Sequence, residues 1–516
     1  MTLSPTARNR LALVALCLVA AMFGLEISSI PVILPTLEKT LHADFEAMQW
    51  IMNAYTIACT TVLMAAGTLA DRYGRKRVLA ISLLLFGLTS LACGLAPSAP
   101  LLIGARFLQG LSGGTMLICQ IAILSHQFQE GRERSRAFAI WGVVFGVGLG
   151  FGPIVGGAIA ALWRWEWVFL VHAPLAAIAW LLAAVGIGEP RDPEAKRLDL
   201  AGIVTLSLAV LGLTGYITQG PGLGFASAAG LSLIGAAAAS FAAFVAIERS
   251  RAHPMFDFSV FRIRAFSGAI LGSVGMNFSF WPFMIYLPIY FQAGLGYDAV
   301  QAGTALLAYT LPTLLAPPLG ERLAARFRAG AVIPAGLFAI GAGFLLMRWG
   351  SGVAEASWLT LLPGCLLAGL GLGVINTPVT NTTTGSVPAS RAGMASGIDM
   401  SARLITLAIN IALMGFLLLA GIVAALRGAL PELAPSLPAL AERIAAGHLA
   451  TLHREFPALA ALDPSGAIAH GALLQGFGGV MLYGALGVWV LAALSALAFH
   501  GGGRRPPGRL RLSPLS

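Results

Sequence analysis

Charge is what this sequence has least of. Of 516 residues, 10% are Asp, Glu, Lys or Arg and 57% are hydrophobic, whereas a soluble domain carries about a quarter charged residues. That scarcity excludes a fold solvated by water on all sides, so lipid must be the solvent. Cysteine is sparse as well. Cys17, Cys59, Cys93, Cys119 and Cys365 lie in apolar runs with no CxxC spacing, which excludes a disulfide framework or cysteine metal site and leaves small buried hydrophobes. No GxxxxGK[ST] loop occurs, so use of ATP is not expected. A catalytic elbow, a metal cluster and an added soluble domain are all missing, which counts against a membrane-embedded enzyme or sensor. No cofactor and no metal are expected.

What the chain does have is long apolar runs. The opening "MTLSPTARNRLALVALCLVAAMFGLEISSIPVIL" carries a basic start like a signal peptide, but its run is too long and no small-residue cleavage site ends it. It reads as a retained first span. With about 20 apolar residues needed per crossing, spans fall near 11–35, 48–70, 78–96, 100–125, 137–161, 166–187, 200–218 and 226–247. Six more fall near 266–291, 299–319, 330–347, 357–381, 392–423 and 474–499. Fourteen spans put both termini on one side. Segments on that side hold 24 of the 32 Lys and Arg, the opposite side holds 6, and Arg106 and Arg403 lie within spans. The asymmetry places both termini in the cytoplasm. It also accounts for the net charge of +10 without nucleic-acid binding, since the cations sit in short loops beside a bilayer.

The chain also repeats itself. "LADRY" (69–73) follows the second span and "LAARF" (323–327) the tenth, with Ala325 where the first copy has Asp71. Two six-helix bundles, 1–187 and 266–516, are therefore expected around two additional spans and linkers in 188–265. A long outer segment near 424–473, rich in Ala, Leu and Pro, is expected to carry a short amphipathic helix.

The motifs resemble one family, the fourteen-helix drug:proton antiporter branch of the major facilitator superfamily, over nearly the whole chain. "GTLADRYGRKRV" (67–78) is similar to its cytoplasmic loop signature, "RFLQGLSGG" (106–114) to its fourth-helix motif and "GLGFGPIVGG" (148–157) to its antiporter signature. "LEISSIPVILP" (25–35) and "RAGMASG" (391–397) correspond to its motifs in the first and thirteenth helices. This sequence departs from the pattern at Glu26 (usually Asp), Pro31 (usually Asn), His126 (usually an acid) and His172 (usually Asn). The resemblance implies a proton-coupled exporter of amphipathic, cationic drugs or toxic small molecules across a bacterial inner membrane. A dedicated exporter of one siderophore, antibiotic or lipid on the same fold is the alternative. It implies a monomer whose partners are substrate, protons and the bilayer, and leaves a periplasmic adaptor open.

Site candidates follow. A tract of five charges at Asp71, Arg72, Arg75, Lys76 and Arg77 cannot lie in hydrocarbon, so it is a surface turn held inside by its bases. Asp71 is placed to accept hydrogen bonds at the helix start near Ala392 and Gly393, where the dipole favours an anion. The resemblance makes this a latch between the halves, with Gly67, Asp71, Arg72, Gly74, Arg75 and Arg403 as gating residues. Gly148, Gly152 and Gly156 recur four apart and allow close helix contact; with Pro153 and Gly157 they form the antiporter motif. Of 22 acids, Glu26 and Asp399 fall well inside spans, where an ionisable group costs at least about 2.5–3.5 kcal/mol and marks function. Glu26 and Arg106 sit at similar depth, so they could share one cavity as proton-coupling residues, the rival being a static pair.

Asp399 and Arg403 are i,i+4 on a polar stripe with Ser396, Thr406 and Asn410, consistent with an ion pair or a second protonation site. His172 reads as a hydrogen-bonded packing residue rather than a proton carrier. Substrate-cavity candidates are Met22, Asn53, Gln109, Met116, Gln120, Phe280, Trp281, Tyr286, Asn376 and Asn410. The rings of "NFSFWPFMIYLPIYF" (277–291) could alternatively form a lipid-facing belt, and Pro282 and Pro288 should bend that span. Asp71→Asn should leave insertion intact and slow turnover, since an anion–helix contact is worth about 0.3–2 kcal/mol. Full transport by a well-expressed variant would remove the latch.

Overall fold

The computed structural model describes residues 4–128, 131–188, 200–251, 258–353, 355–387, 392–449 and 451–500. Among these, the regular elements are helical. The first group is α1 (Pro5–Leu41), α2 (Phe45–Tyr73), α3 (Arg75–Gly94), α4 (Ala99–Gln127), α5 (Gly131–Leu162), α6 (Glu166–Leu170) and α7 (His172–Gly186). A hairpin of α8 (Leu200–Leu223) and α9 (Ala228–Ser250) follows. Then come α10 (Arg264–Phe278), α11 (Phe280–Ile289), α12 (Ala299–Leu315), α13 (Pro317–Phe327), α14 (Ala329–Ser351), α15 (Trp358–Gly385) and α16 (Ala392–Ala429). Short helices α17 (Leu437–Ala445), α18 (Leu452–Glu455) and α19 (Pro457–Leu462) precede the last long one, α20 (Ala467–His500).

Among the described residues, twelve helices are long and apolar enough to cross a membrane, and the bent pair α12–α13 makes a thirteenth. The expected second span is α2, 29 residues long; its residues 51–60 are buried on every side, between α4, α8 and α16, so protein rather than lipid covers its polar Gln49, Asn53, Thr56 and Thr60. Elsewhere lipid is the neighbour: large apolar side chains such as Leu88, Leu101, Phe338 and Leu497 stand on the outside.

Proline sets the breaks. Pro174 has no N–H to return to Leu170, and the sixth span divides there into α6 and α7. Pro282 and Pro288 act similarly on the ninth, which breaks at Ser279 and ends in a π-helical turn at Tyr290–Gly294. The tenth bends by 45° before Pro317. Several helices outrun their expected spans, notably α1, α16 and α20, because apolar runs mark lipid contact and not helix length.

The face where α1 begins is called here the near face, and its opposite the far face. At the far face one apolar core joins both halves of the chain: Ile33, Leu37, Phe45 and Phe169 pack with Phe283, Tyr290, Ile340, Leu418 and Leu440. At the near face the cores separate. One gathers Leu16, Val19, Leu83, Ile123 and Ala183; the other gathers Phe266, Ile270, Val387, Ala395 and Ile398. Met400 and Leu404 of α16 lean on the first of these. The α8–α9 hairpin sits beside the seam, where Ile57, Leu206, Val210, Phe244 and Ala408 form a small cluster. The halves are thus closed together at the far face.

The outer segment is a cap on that closed end. The amphipathic helix expected there is α17, with Leu437, Leu440, Ala441 and Ile444 buried beneath it. His448 of the cap reaches across to Glu38 of α1, and Arg443 pairs with Glu455 at 2.9 Å. Burial pushes the His448 imidazole below its ordinary value, and Arg443 adds to the effect. Burial and Asp44 push the Glu442 carboxyl up. Glu38, expected at a span end among the loop acids, is buried under this cap.

The glycines of α5 serve two seams. Gly148 and Gly156 face α1, where an added Cβ would lie 2.8 Å from Ala21 O and 2.7 Å from Ser29 O, and Gly152 faces Ser28. Ser28 Oγ donates to Gly148 O at 3.1 Å across that seam. Gly157 instead faces α12, 2.6 Å from Ala299 O, while Pro153 O lies 2.7 Å from the Cβ position of Gly303. Thr310 Oγ1 donates to Gly150 O at 2.9 Å. The motif therefore packs one edge within its own half and the other against the second half. Gly152→Leu or Gly156→Leu should force α1 and α5 apart and abolish transport. A normally expressed, fully active Leu variant would show that the close contact is dispensable.

Candidate functional site

The largest fully buried side chain is Arg106. It rises from α4 into the space between α1, α2 and α6, and the sequence gives it a partner from each. Its Nη1 donates to Glu26 Oε1 of α1 in an ion pair and to Gln109 Oε1, one turn along α4, at 2.7 Å. Its Nε donates to Ile51 O of α2 at 3.1 Å. The guanidinium lies 4.3 Å from the Tyr55 ring centroid and 5.7 Å from that of Phe169, both attractive cation–π distances. Gln109 is fixed in turn by donating to Ser90 Oγ of α3 at 2.9 Å. Glu26 and Arg106 are both 0% exposed.

His172 completes the cluster. The break before α7 puts it 3.4 Å, at Nδ1, from Glu26 Oε2. The same Nδ1 lies 3.1 Å from Val168 O, to which it donates. The ring of Phe86 meets the imidazole edge-on at 5.8 Å. His172 makes the hydrogen bond expected of it, and it also faces the buried carboxylate, which the sequence did not signal. Among the described residues, Glu26 Oε2, Arg106 Nη2, His172 Nε2 and both side-chain polar atoms of Asn53 lack a hydrogen-bond partner. Such a network is incompletely satisfied, and its open valences can take protons or a polar ligand.

A second cluster lies in the other half, on the near-face part of α16. Asp399 accepts from Ser273 Oγ of α10 and pairs with Arg403 Nη2 at 3.1 Å. Arg403 also donates to Asn376 Oδ1 at 2.8 Å and Thr380 Oγ1 at 3.0 Å on α15. The i,i+4 ion pair expected from the sequence is present. Asp399 is 1% exposed, and the Arg403 side chain 12%. Among the described residues, no hydrogen bond or ion pair links this cluster directly to Glu26.

The remaining candidates separate. Met22 and Met116 lie in the near-face apolar core, and Gln120 Oε1 accepts from Trp141 Nε1 at 3.1 Å. Asn410 Oδ1 accepts from Tyr483 at 2.7 Å. The rings of Phe280, Phe283 and Tyr286 are fully buried in the far-face core, with Phe280 stacked on Tyr309 at 4.0 Å, so they form no lipid-facing belt. Trp281 is partly buried against that core. Gly74 turns the chain between α2 and α3 at a φ of 104°, a conformation glycine adopts without strain. Arg75 donates to Ala122 O at 3.3 Å, and Lys76 to Ala184 O at 2.7 Å, near the C-terminal ends of α4 and α7 where cations are favoured. The expected Asp71 contact with residues 392–393, and the gating roles of Gly67 and Arg72, lie outside the described residues, as does the side chain of His126.

Removing one partner of a buried ion pair leaves an uncompensated charge and costs about 3–5 kcal/mol. Arg106→Ala should therefore lower the thermal stability of detergent-solubilised protein sharply. Adding Glu26→Gln to it should recover most of the loss. An Arg106→Ala protein as stable as wild type would show that the pair carries no such load.

Comparison with known proteins agrees with this architecture. The family model described as Major Facilitator Superfamily matches residues 16–411. A multidrug resistance protein, Stp, of Mycobacterium tuberculosis is 32% identical over 425 residues, 82% of this chain and 79% of that protein. The tetracenomycin C resistance and export protein of Streptomyces glaucescens is 29% identical over 79% of this chain and 75% of its own. The quinolone resistance protein NorB of Staphylococcus aureus is 29% identical over 79% and 88%. In fold, the chain is similar to a bacterial homolog of the human lysosomal transporter Spinster in an inward-facing, unoccupied conformation. That match has a TM-score of 0.67 at 16% identity and covers 97% of this chain and 99% of the other. This multi-pass helical chain belongs to the major facilitator superfamily.

Proposed function

We propose that the protein is a proton-coupled antiporter exporting amphipathic small molecules, cations foremost, across a bacterial inner membrane. The observation that carries the reading is the buried Glu26–Arg106 pair. A carboxylate can exchange a proton for a cationic substrate, whereas an arginine guanidinium does not deprotonate. A charge pair inside a membrane protein is a functional site by default. Relatives named for multidrug, quinolone and tetracenomycin resistance support an exported drug. The tetracenomycin protein also keeps the second reading open, a dedicated exporter of one antibiotic-like metabolite.

In this reading both termini face the cytoplasm, α2 is the fourteenth span, and the near face is the open one. Residues 1–187 and 266–516 are the moving bundles and 188–265 the additional pair. The separated near-face cores support that assignment. Asn376, exposed beside Arg403, and Trp281 line the route. The buried Met22, Asn53, Gln109, Met116, Gln120, Phe280, Tyr286 and Asn410 join it as the halves part. Asp399 and Arg403 are gating or second-proton residues, and a monomer does the work without catalysing a covalent step.

The test is a susceptibility panel in an efflux-deficient host, with uphill export in inverted vesicles. Glu26→Gln should abolish uphill export while sparing downhill exchange, and Glu26→Asp should keep part of the activity. Resistance to many unrelated cations favours the broad exporter, and resistance to a single compound the dedicated one. Normal uphill export by Glu26→Gln would make Glu26 structural and sink the coupling mechanism.

A further inference from the structure

The Glu26–Arg106 pair is balanced in charge, and Arg106 cannot give up its proton. Within the pair, Glu26 is the one member that can exchange a proton. The structure places a second titratable group beside it. His172 is 1% exposed, so its chemistry belongs to the buried site and not to the surface. Because Val168 O at 3.1 Å can only accept, Nδ1 carries the hydrogen and donates it to Val168 O, with Glu26 Oε2 3.4 Å away. That tautomer leaves the lone pair on Nε2, the atom without a partner among the described residues. Glu26 Oε2 is likewise without a hydrogen bond of normal length.

We infer that His172 is a second proton-binding group of the Glu26 site, resting on the proton-coupled reading above. Proton uptake at Nε2 converts the imidazole to imidazolium without breaking a covalent bond between heavy atoms. The proton is taken up from the far face when that face is open, and its release to the near face returns the neutral Nδ1–H tautomer. The imidazolium gives Glu26 a second counter-cation beside Arg106. A cationic substrate then meets a carboxylate already neutralised twice, so substrate and proton exclude each other. The groups around His172 support this balance. Glu26 faces it from α1, Arg106 of α4 lies across the same carboxylate, and the ring of Phe86 from α3 brings no charge. The Tyr55 ring packs against Arg106, and the Cys93 thiol against Gln109. Two such groups titrate as a pair, so the apparent midpoint belongs to both. In this role His172 tunes and shares the proton of Glu26.

The test uses full-length protein in detergent, with tetraphenylphosphonium as the cationic probe and proton release into weakly buffered solution as the readout. Wild type should release protons when the probe binds, most strongly around one pH midpoint. His172→Asn, which restores the residue usual in the resembling family, and His172→Gln, which keeps a similar length, should both bind the probe. Their release per bound probe should fall by about half, because the pair has lost one member. A packing role could move the midpoint through Glu26 but would leave the number of protons released per bound probe unchanged. Unchanged release per bound probe in whichever of the two variants is monodisperse overturns the inference and leaves the proposed function intact. Absence of release in wild type overturns both.

Discussion

An ion pair with no access to solvent is the constraint on which this molecule turns. Glu26 and Arg106 have no exposed surface, and taking such charges out of water costs several kcal/mol each unless geometry and hydrogen bonds compensate. The surrounding helices are arranged to compensate. Gln109, the Ile51 carbonyl and the Tyr55 ring hold the guanidinium, and His172 faces the free carboxylate oxygen. They come from α2, α4 and α7, so a change in the charge state of the site is felt by α1, α2, α4 and α7 together. That is how a proton, which carries no shape, can act on the position of helices.

The packing decides what can move. At the far face one apolar core spans both halves, capped by α17 and tied to α1 through His448 and Glu38. Near the other face each half keeps a core of its own. Opening the far face would therefore expose apolar surface between the halves, while closing the near face would bury it. Between them runs the α5–α12 seam, where backbone meets backbone at Gly157 and Gly303. Close contact between small residues lets two rods rock without the interlocking of large side chains. Packed interfaces of this kind tend to have two discrete arrangements instead of a continuum.

Much of this was legible in the sequence because lipid imposes simple rules. Twenty apolar residues make a crossing, loop cations set the side, and a lone buried acid must have a partner, so Glu26, Arg106 and the Asp399–Arg403 pair could be read from depth and spacing. The glycines of α5 were legible as a contact face, but not that Gly157 turns to the opposite half, since four-residue spacing names an edge and no partner. His172 was undervalued because its meeting with Glu26 depends on the break that Pro174 makes between α6 and α7. Glu38 and the cap escaped for a similar reason. Their contact joins residues 410 positions apart in the chain, and neither end lies in a pattern. The rings of α11 looked available to substrate or lipid, and tertiary packing put them in the far-face core instead.

The central claim is that the protonation state of the Glu26 site sets which face the two halves close. Spin labels at Thr40 and Val300 report the far face, and labels at Thr6 and Ala325 the near face; all four positions are exposed, while the native cysteines are buried. Inter-label distances should be measured by pulsed dipolar spectroscopy in lipid at about pH 3.5 and about pH 8.5, on either side of the ordinary histidine and carboxylate values. The account predicts that the near-face and far-face distances change in opposite senses between the two pH values, and that Glu26→Gln removes the change. Distances that ignore pH in the wild-type protein, or that respond equally in Glu26→Gln, would contradict it.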